Sequence, residues 1–167
     1  HRLEQEAQVR ALYDAVQVTG HELLLEIIPP RDLPREHDTV LRALKRFYNL
    51  GIYPEWWKLE PMTGDQWPAV DALVGERDPY CRGVLLLGLG ARREVLAQAF
   101  SDAQASTTCR GFAVGRTIFE APAREWLAGS IDDEMLIARA AAAFLDLIDC
   151  WMAARQAVRK MDTTVLA

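Results

Sequence analysis

Gly83-Val84-Leu85-Leu86-Leu87-Gly88-Leu89-Gly90 is a short apolar run that ends in a glycine-rich turn. An apolar run without alternation is typical of a strand buried on both faces of a parallel sheet. Helical spacing follows over residues 92–103, with Val95 and Phe100 on the predicted inner face. Strand, turn and helix together predict one βα unit.

The same alternation occurs on both sides of this unit. Strands are predicted over residues 21–28 and 53–61, and a strand with its following turn over residues 111–116. Helices are predicted over residues 3–18, 38–48, 66–74, 123–127 and 132–160. Strand and helix alternate every thirty residues or so, which is the length of a βα unit and indicates a parallel α/β sheet. No linker or composition break divides the chain, so residues 1–167 are predicted to form a single unit.

Composition and charge argue against several classes of protein. The formal net charge of the 167-residue chain is −5, which disfavours nucleic acid as a partner. No apolar run approaches the roughly 18 residues of a membrane span, and the polar residues 1–10 do not resemble a signal peptide. The three cysteines are far apart and lack metal-ligand spacing. We expect reduced thiols, a cytoplasmic location, no metal site and no cofactor.

Two charged side chains stand inside or at the end of apolar strands. Glu26 interrupts the apolar run of residues 23–28, and Lys58 follows two tryptophans, with Glu60 two residues later. Functional groups of parallel α/β sheets gather at the carboxyl ends of the strands. A lysine amine can form a Schiff base with a carbonyl, and a nearby carboxylate can move protons. The alternative is a structural ion pair between Lys58 and either glutamate.

The last two predicted strands end in turns suited to anions. Gly88 and Gly90 flank Leu89 ahead of one helix, and Gly115 precedes Arg116 after the next strand. Backbone N–H groups at such turns, together with a guanidinium, can bind a phosphate. In (β/α)8 barrels the phosphate site is often built from the last two strand loops. The alternative is that these glycines only close tight turns.

Five sequence segments, taken together, resemble the DUF2090 family. They are Leu-Leu-Leu-Glu-Ile-Ile-Pro-Pro at 23–30, Tyr-Pro-Glu-Trp-Trp-Lys-Leu-Glu-Pro at 53–61, Arg-Gly-Val-Leu-Leu-Leu-Gly-Leu at 82–89, Gly-Phe-Ala-Val-Gly-Arg-Thr-Ile-Phe at 111–119 and Arg-Glu-Trp-Leu at 124–127. Domains of this family are often fused to a sugar kinase, 5-dehydro-2-deoxygluconokinase of myo-inositol catabolism. The order of strand-end groups is also distantly similar to class I tagatose-1,6-bisphosphate aldolases, which are (β/α)8 barrels.

The resemblance implies a function and a role for each candidate residue. It implies a class I aldolase that cleaves a phosphorylated keto sugar such as 2-deoxy-5-keto-gluconate 6-phosphate. Lys58 matches the Schiff-base lysine, Glu26 and Glu60 would move protons, and Gly88, Gly90, Gly115 and Arg116 would hold the phosphate. Two alternatives remain open: a non-catalytic phosphosugar-binding module associated with a sugar kinase, and a phosphosugar isomerase or epimerase.

The resemblance also changes what the length implies. A closed (β/α)8 TIM barrel has eight βα units and typically about 250 residues. Four units fill the 167 residues, which predicts the C-terminal half of such a barrel. Relatives carry an earlier half with an Asp-His-Arg-Gly-like motif that is not found in this sequence. We therefore expect an N-terminal half-barrel or a second copy of the chain as a partner, with the N-terminal half preferred.

Overall fold

The computed structural model describes residues 2–30, 32, 34 and 36–165, with side chains through residue 157. Strands and helices alternate along the chain. The strands are β1 (Leu24–Ile27), β2 (Trp56–Leu59), β3 (Gly83–Leu87) and β4 (Cys109–Ala113). The helices are α1 (Arg2–Thr19), α2 (Thr39–Asn49), α3 (Trp67–Arg77), α4 (Arg93–Asp102), α5 (Arg116–Leu127) and α6 (Asp133–Val165), with a short 3-10 turn at Ala103–Ala105.

The four strands form one parallel sheet in the order β1-β2-β3-β4. Each strand therefore lies beside the strand that follows it in the sequence. Right-handed crossovers between consecutive neighbours all pass on the same side of a sheet. This order differs from that of doubly wound folds, in which the strand order reverses and helices cover both faces.

The hydrophobic core lies on one face of the sheet. Alternate strand residues project into it because side chains of a strand point to opposite faces in turn. Trp57 and Leu59 of β2 and Val84 and Leu86 of β3 are fully buried there. Side chains of α2, α3, α4 and α6 pack against them, among them Leu44, Trp67, Val70, Leu96, Phe100 and Trp151. Burial of these large apolar groups is the main stabilising contribution to the fold.

The opposite face is much more open. Leu24 of β1 is 43% exposed, and the side chain of Glu26 is 37% exposed. Lys58 lies on this face because it alternates with the buried Trp57 and Leu59. Glu26 and Lys58 are thus on the face away from the helical core.

Four predictions need correction. β1 was expected over residues 21–28 and buried on both faces, but it spans four residues and its Glu26 face is open. β4 begins at Cys109 rather than at residue 111, and Arg116, expected in the turn after the strand, is the first residue of α5. α5 therefore begins seven residues before its predicted start at 123. Val95 is 47% exposed, so the inner stripe of α4 is narrower than predicted.

No helix in the described part of the chain has both the length and the apolar character needed to cross a membrane.

Candidate functional site

Lys58 and Glu26 form an ion pair on the open face of the sheet. The two residues are direct neighbours in the register of β1 and β2. The Nζ atom of Lys58 is 2.8 Å from Oε1 of Glu26. The Lys58 side chain is 23% exposed, so the amine is sheltered but remains accessible to small molecules. The sequence predicted that these two groups would lie close together, and the structure brings them together.

A cleft of about 290 Å³ opens beside this pair. We call it the Lys58 cleft. It lies at the carboxyl ends of β3 and β4, where the loops that follow these strands meet. Its lining consists of Glu26, Ile28, Lys58, Leu87, Gly88, Leu89, Gly90, Ala113, Val114, Gly115, Arg116 and Phe119. Six of the seven residues predicted for the site thus line a single cleft.

The β3 turn, residues Gly88–Ala91, forms one wall of the Lys58 cleft. The amide of Ala91 donates a hydrogen bond to the carbonyl of Gly88 at 2.8 Å. Leu89 and Gly90 both have positive φ angles, 48° and 73°. Two central residues of positive φ define a type I′ turn. Glycine suits this conformation, whereas leucine rarely adopts it.

The β4–α5 connection forms the neighbouring wall. Leu87 of β3 and Ala113 of β4 are register partners, so the connections after them lie side by side. Helix α5 begins directly after Gly115, and the first amides of a helix have no acceptor within the helix. The guanidinium of Arg116 lies across the β3 turn, since a Cβ atom placed on Gly90 would be 3.8 Å from its Cζ. Backbone amides and a cation thus meet at one place, which suits an anion.

The charges of the Lys58 cleft favour a negatively charged ligand. Its lining contains two cations, Lys58 and Arg116, and one carboxylate, Glu26. The local balance is therefore +1 in a chain whose formal net charge is −5. One carboxylate without histidine or cysteine is a poor ligand set for a metal ion, which usually needs several such groups.

Glu60 lies elsewhere. The residue is only 6% exposed and lines a separate pocket of about 160 Å³ together with His37 and Gln66. Strand β2 ends at Leu59, so the alternation that places Lys58 on the open face does not extend to Glu60. The structure therefore does not place Glu60 in the Lys58 cleft.

The six apolar lining residues were not among the predicted site residues, and three of them stand out. Ile28 and Phe119 are each about half exposed at the mouth of the cleft, at 49% and 48%. Leu89 lines the same cleft. A large apolar residue in a turn is not a recognisable functional signal in a single sequence. The position of Leu89 between two glycines was the one local hint that its side chain would be displayed by a turn.

Comparison with known proteins gives one finding. The protein family described as "Uncharacterized protein conserved in bacteria (DUF2090)" matches residues 1–155. No curated protein gives a significant match to the chain. The matched range includes all four strands and every residue that lines the Lys58 cleft. The chain therefore belongs to the DUF2090 family.

Proposed function

We propose that this chain carries the catalytic face of a class I, Schiff-base aldolase that acts on a phosphorylated keto sugar. One observation supports the proposal above all others. The Lys58 amine, paired with Glu26 at 2.8 Å, opens into the same cleft as the β3 turn and the start of α5. A phosphorylated ketone fits this arrangement. Its carbonyl would meet the amine and the carboxylate, and its phosphate would meet the groups suited to an anion.

The chemistry assigns a role to each charged group. Glu26 takes a proton from the Lys58 ammonium so that the neutral amine can attack the ketone carbon. It returns this proton as the carbonyl oxygen leaves as water, which produces an iminium ion. Glu26 then accepts the proton of the hydroxyl group on the carbon that will become the aldehyde. The carbon–carbon bond breaks, and its electron pair moves into the iminium to form an enamine. Protonation and hydrolysis of the enamine release the second product and restore the lysine.

The phosphate end uses the two adjacent loops. Backbone amides near Gly88, Gly90 and Gly115 and the guanidinium of Arg116 would hold the phosphate oxygens. The substrate implied by the family resemblance is 2-deoxy-5-keto-gluconate 6-phosphate of myo-inositol catabolism. We place this reaction in the cytoplasm, because thiols such as the three free cysteines stay reduced there.

We further propose that the sheet is the C-terminal half of a (β/α)8 barrel. Three features support a barrel wall. The strands are parallel and in sequential order, the helical core covers one face, and the open face carries Glu26 and Lys58. The free edges of β1 and β4 are the places where further strands would pair. An N-terminal half-barrel is the preferred partner, with a second copy of the chain as the alternative. A fused sugar kinase would then supply the phosphorylated substrate.

Borohydride trapping tests the aldolase proposal. The probe is dihydroxyacetone phosphate, the smallest phosphorylated ketone, and the product is located by peptide mass spectrometry. We expect the reduced adduct on Lys58 and none in Lys58→Arg. Lys45→Arg is the matched control, because Lys45 is an exposed lysine of α2.

Three outcomes overturn the aldolase proposal. Equal trapping in Lys58→Arg excludes Lys58 as the nucleophile. Phosphate binding that depends on Arg116 without any trapping indicates a non-catalytic phosphosugar module. Turnover of the keto sugar phosphate to a product that keeps every carbon indicates an isomerase or epimerase.

A further inference from the structure

A hydrogen bond joins the two loops that form the phosphate end of the Lys58 cleft. The Oγ1 atom of Thr117, in the first turn of α5, donates to the carbonyl of Ala91 at 2.9 Å. The two residues are 26 positions apart in the sequence, and the bond is partly buried. Ala91 is the last residue of the β3 turn. Thr117 therefore ties the β3 turn to the start of α5.

The two loops also pack too closely for a side chain to lie between them. A Cβ atom placed on Gly88 would be 2.5 Å from Cγ1 of Val114 and 3.6 Å from Oγ1 of Thr117. A distance of 2.5 Å is well inside van der Waals contact, so position 88 requires glycine unless the backbone moves. The β3 turn thus packs against the β4–α5 connection at Gly88, at the other end of the turn from the Thr117 bond to Ala91.

The conformation of the β3 turn indicates that it needs such support. Leu89 has a φ angle of 48°, and it is the one non-glycine residue of positive φ among the residues that the structure describes. The left-handed region is unfavourable for leucine because its Cβ crowds the following carbonyl. Strained backbone persists only where surrounding contacts hold it in place. The Thr117 bond to Ala91 and the close approach of Val114 to Gly88 hold the turn at the residues that flank Leu89 and Gly90.

We propose that Thr117 is a positioning residue that holds the β3 turn and the start of α5 as one rigid phosphate cradle. This inference rests on the proposed function, because it describes how the phosphate end of that same site is organised. Thr117 acts through the Ala91 carbonyl and not through its own contact with the ligand. A pre-formed cradle binds more tightly because the loops do not have to be ordered when the ligand enters.

The test compares a phosphorylated with a non-phosphorylated ketone. Thr117→Val removes the hydroxyl and keeps the shape of the side chain, and Thr117→Ser keeps the hydroxyl. The concentration for half-maximal borohydride trapping at Lys58 is measured with dihydroxyacetone phosphate and with dihydroxyacetone. We expect Thr117→Val to raise this concentration about tenfold for the phosphorylated ketone alone, as expected for loss of one supporting hydrogen bond. Thr117→Ser should behave like the wild type.

The test compares the half-maximal trapping concentrations of the two ketones as a ratio. This ratio remains informative if Thr117→Val is partly unfolded. A loss of folded protein lowers trapping of both ketones equally and leaves the ratio unchanged. An unchanged ratio in Thr117→Val therefore overturns the positioning role, and so does a tenfold change in Thr117→Ser.

Failure of the aldolase proposal can be separated from failure of this inference. If the wild type shows no trapping at all, calorimetric titration with inorganic phosphate replaces the trapping assay. Weaker phosphate binding in Thr117→Val than in Thr117→Ser then supports the positioning role without the aldolase. Equal phosphate binding in the two variants and the wild type overturns it.

Discussion

Lys58 and Glu26 lie directly opposite each other on neighbouring parallel strands, with the Lys58 Nζ atom 2.8 Å from the Glu26 Oε1 atom. Both side chains are partly exposed, at 23% and 37%. An ion pair open to solvent contributes at most about 1 kcal/mol to stability. The pair also lies beside the Lys58 cleft, and the proposed aldolase reaction would use it there.

Replacement of Glu26 by glutamine tests whether the carboxylate moves protons. Glu26→Gln should lower the rate of Schiff-base trapping at Lys58 about 100-fold or more, the usual effect of losing a positioned acid–base group. Its binding of inorganic phosphate should not weaken, because the phosphate loops are untouched and one negative charge is removed from the cleft. Glu22→Gln is the matched control, since Glu22 is an exposed glutamate at the other end of β1 that pairs with Arg82. A purely structural pair would leave the trapping rate of Glu26→Gln close to that of the wild type.

Removal of the Arg116 guanidinium tests the phosphate end. Arg116→Ala should weaken the binding of inorganic phosphate about 10-fold to 100-fold, because a hydrogen bond to a charged group is worth about 1.5–3 kcal/mol. Calorimetric titration at low ionic strength measures the change. Arg92→Ala removes an exposed arginine from outside the lining of the Lys58 cleft and should bind phosphate normally. Equal losses in the two variants would show only a general effect of net charge.

Glycine at position 90 should be required by the shape of the β3 turn. Gly90 has a φ angle of 73°, so Gly90→Ala should lower the free energy of unfolding by about 1–2 kcal/mol. Gly75→Ala is the matched control in helix α3, where a new Cβ atom would meet nothing within 4 Å. Alanine there should stabilise the protein by about 0.5–1 kcal/mol. Urea denaturation of both variants gives the comparison, and a stable Gly90→Ala would contradict the described turn.

Asp71 predicts an acid-dependent loss of stability. Burial raises the pKa of Asp71, but hydrogen bonds from Thr108, Ser106 and Thr107 outweigh it and hold the pKa below its ordinary value of 3.8. The Oγ atom of Ser106 and the amide of Thr107 donate to the carboxylate at 2.7 and 2.6 Å. A lowered carboxylate pKa stabilises the folded state above the unfolded-state value, and this contribution disappears as the pH falls through the folded-state pKa.

Asp71→Asn should therefore be less stable at pH 7 by about 1–2 kcal/mol, because it weakens several bonds to a charged, partly exposed acceptor. Its stability should also decline less than that of the wild type as the pH falls below about 4. Thermal unfolding between pH 2 and 7 measures both effects. Asp14→Asn, an exposed aspartate of α1, is the control. Parallel pH profiles for wild type and Asp71→Asn would contradict the assignment.

The alternation of strands and helices could be predicted from the sequence because hydrophobic periodicity is a local property. The proximity of Glu26 and Lys58 could also be predicted, since parallel strands bring their carboxyl ends to one edge. The exposure of Glu26 could not, because burial depends on what covers a strand and not on the strand itself. The position of Glu60 outside the Lys58 cleft could not be predicted either, because β2 ends at Leu59 and the alternation of side chains does not continue to Glu60.

Two other features have no signal in a single sequence. Leucine rarely adopts a positive φ angle, so the conformation of Leu89 contradicts its local preference. The contacts that hold this turn are made by its neighbours Gly88 and Ala91 with a loop far away in the sequence. The bonds from Ser106 and Thr107 to Asp71 join residues 35 and 36 positions apart. They fix the chain directly ahead of β4, which begins at Cys109, two residues earlier than periodicity predicted. Polar contacts over such separations follow from the completed fold.

Borohydride trapping with dihydroxyacetone phosphate is the most direct test of the central claim, because it reports whether Lys58 forms a covalent iminium. The account predicts a reduced adduct on Lys58 in the wild type and in Lys45→Arg, and no adduct in Lys58→Arg. Trapping that persists in Lys58→Arg, or a wild-type protein that binds the ketone phosphate and forms no adduct on Lys58, would contradict it.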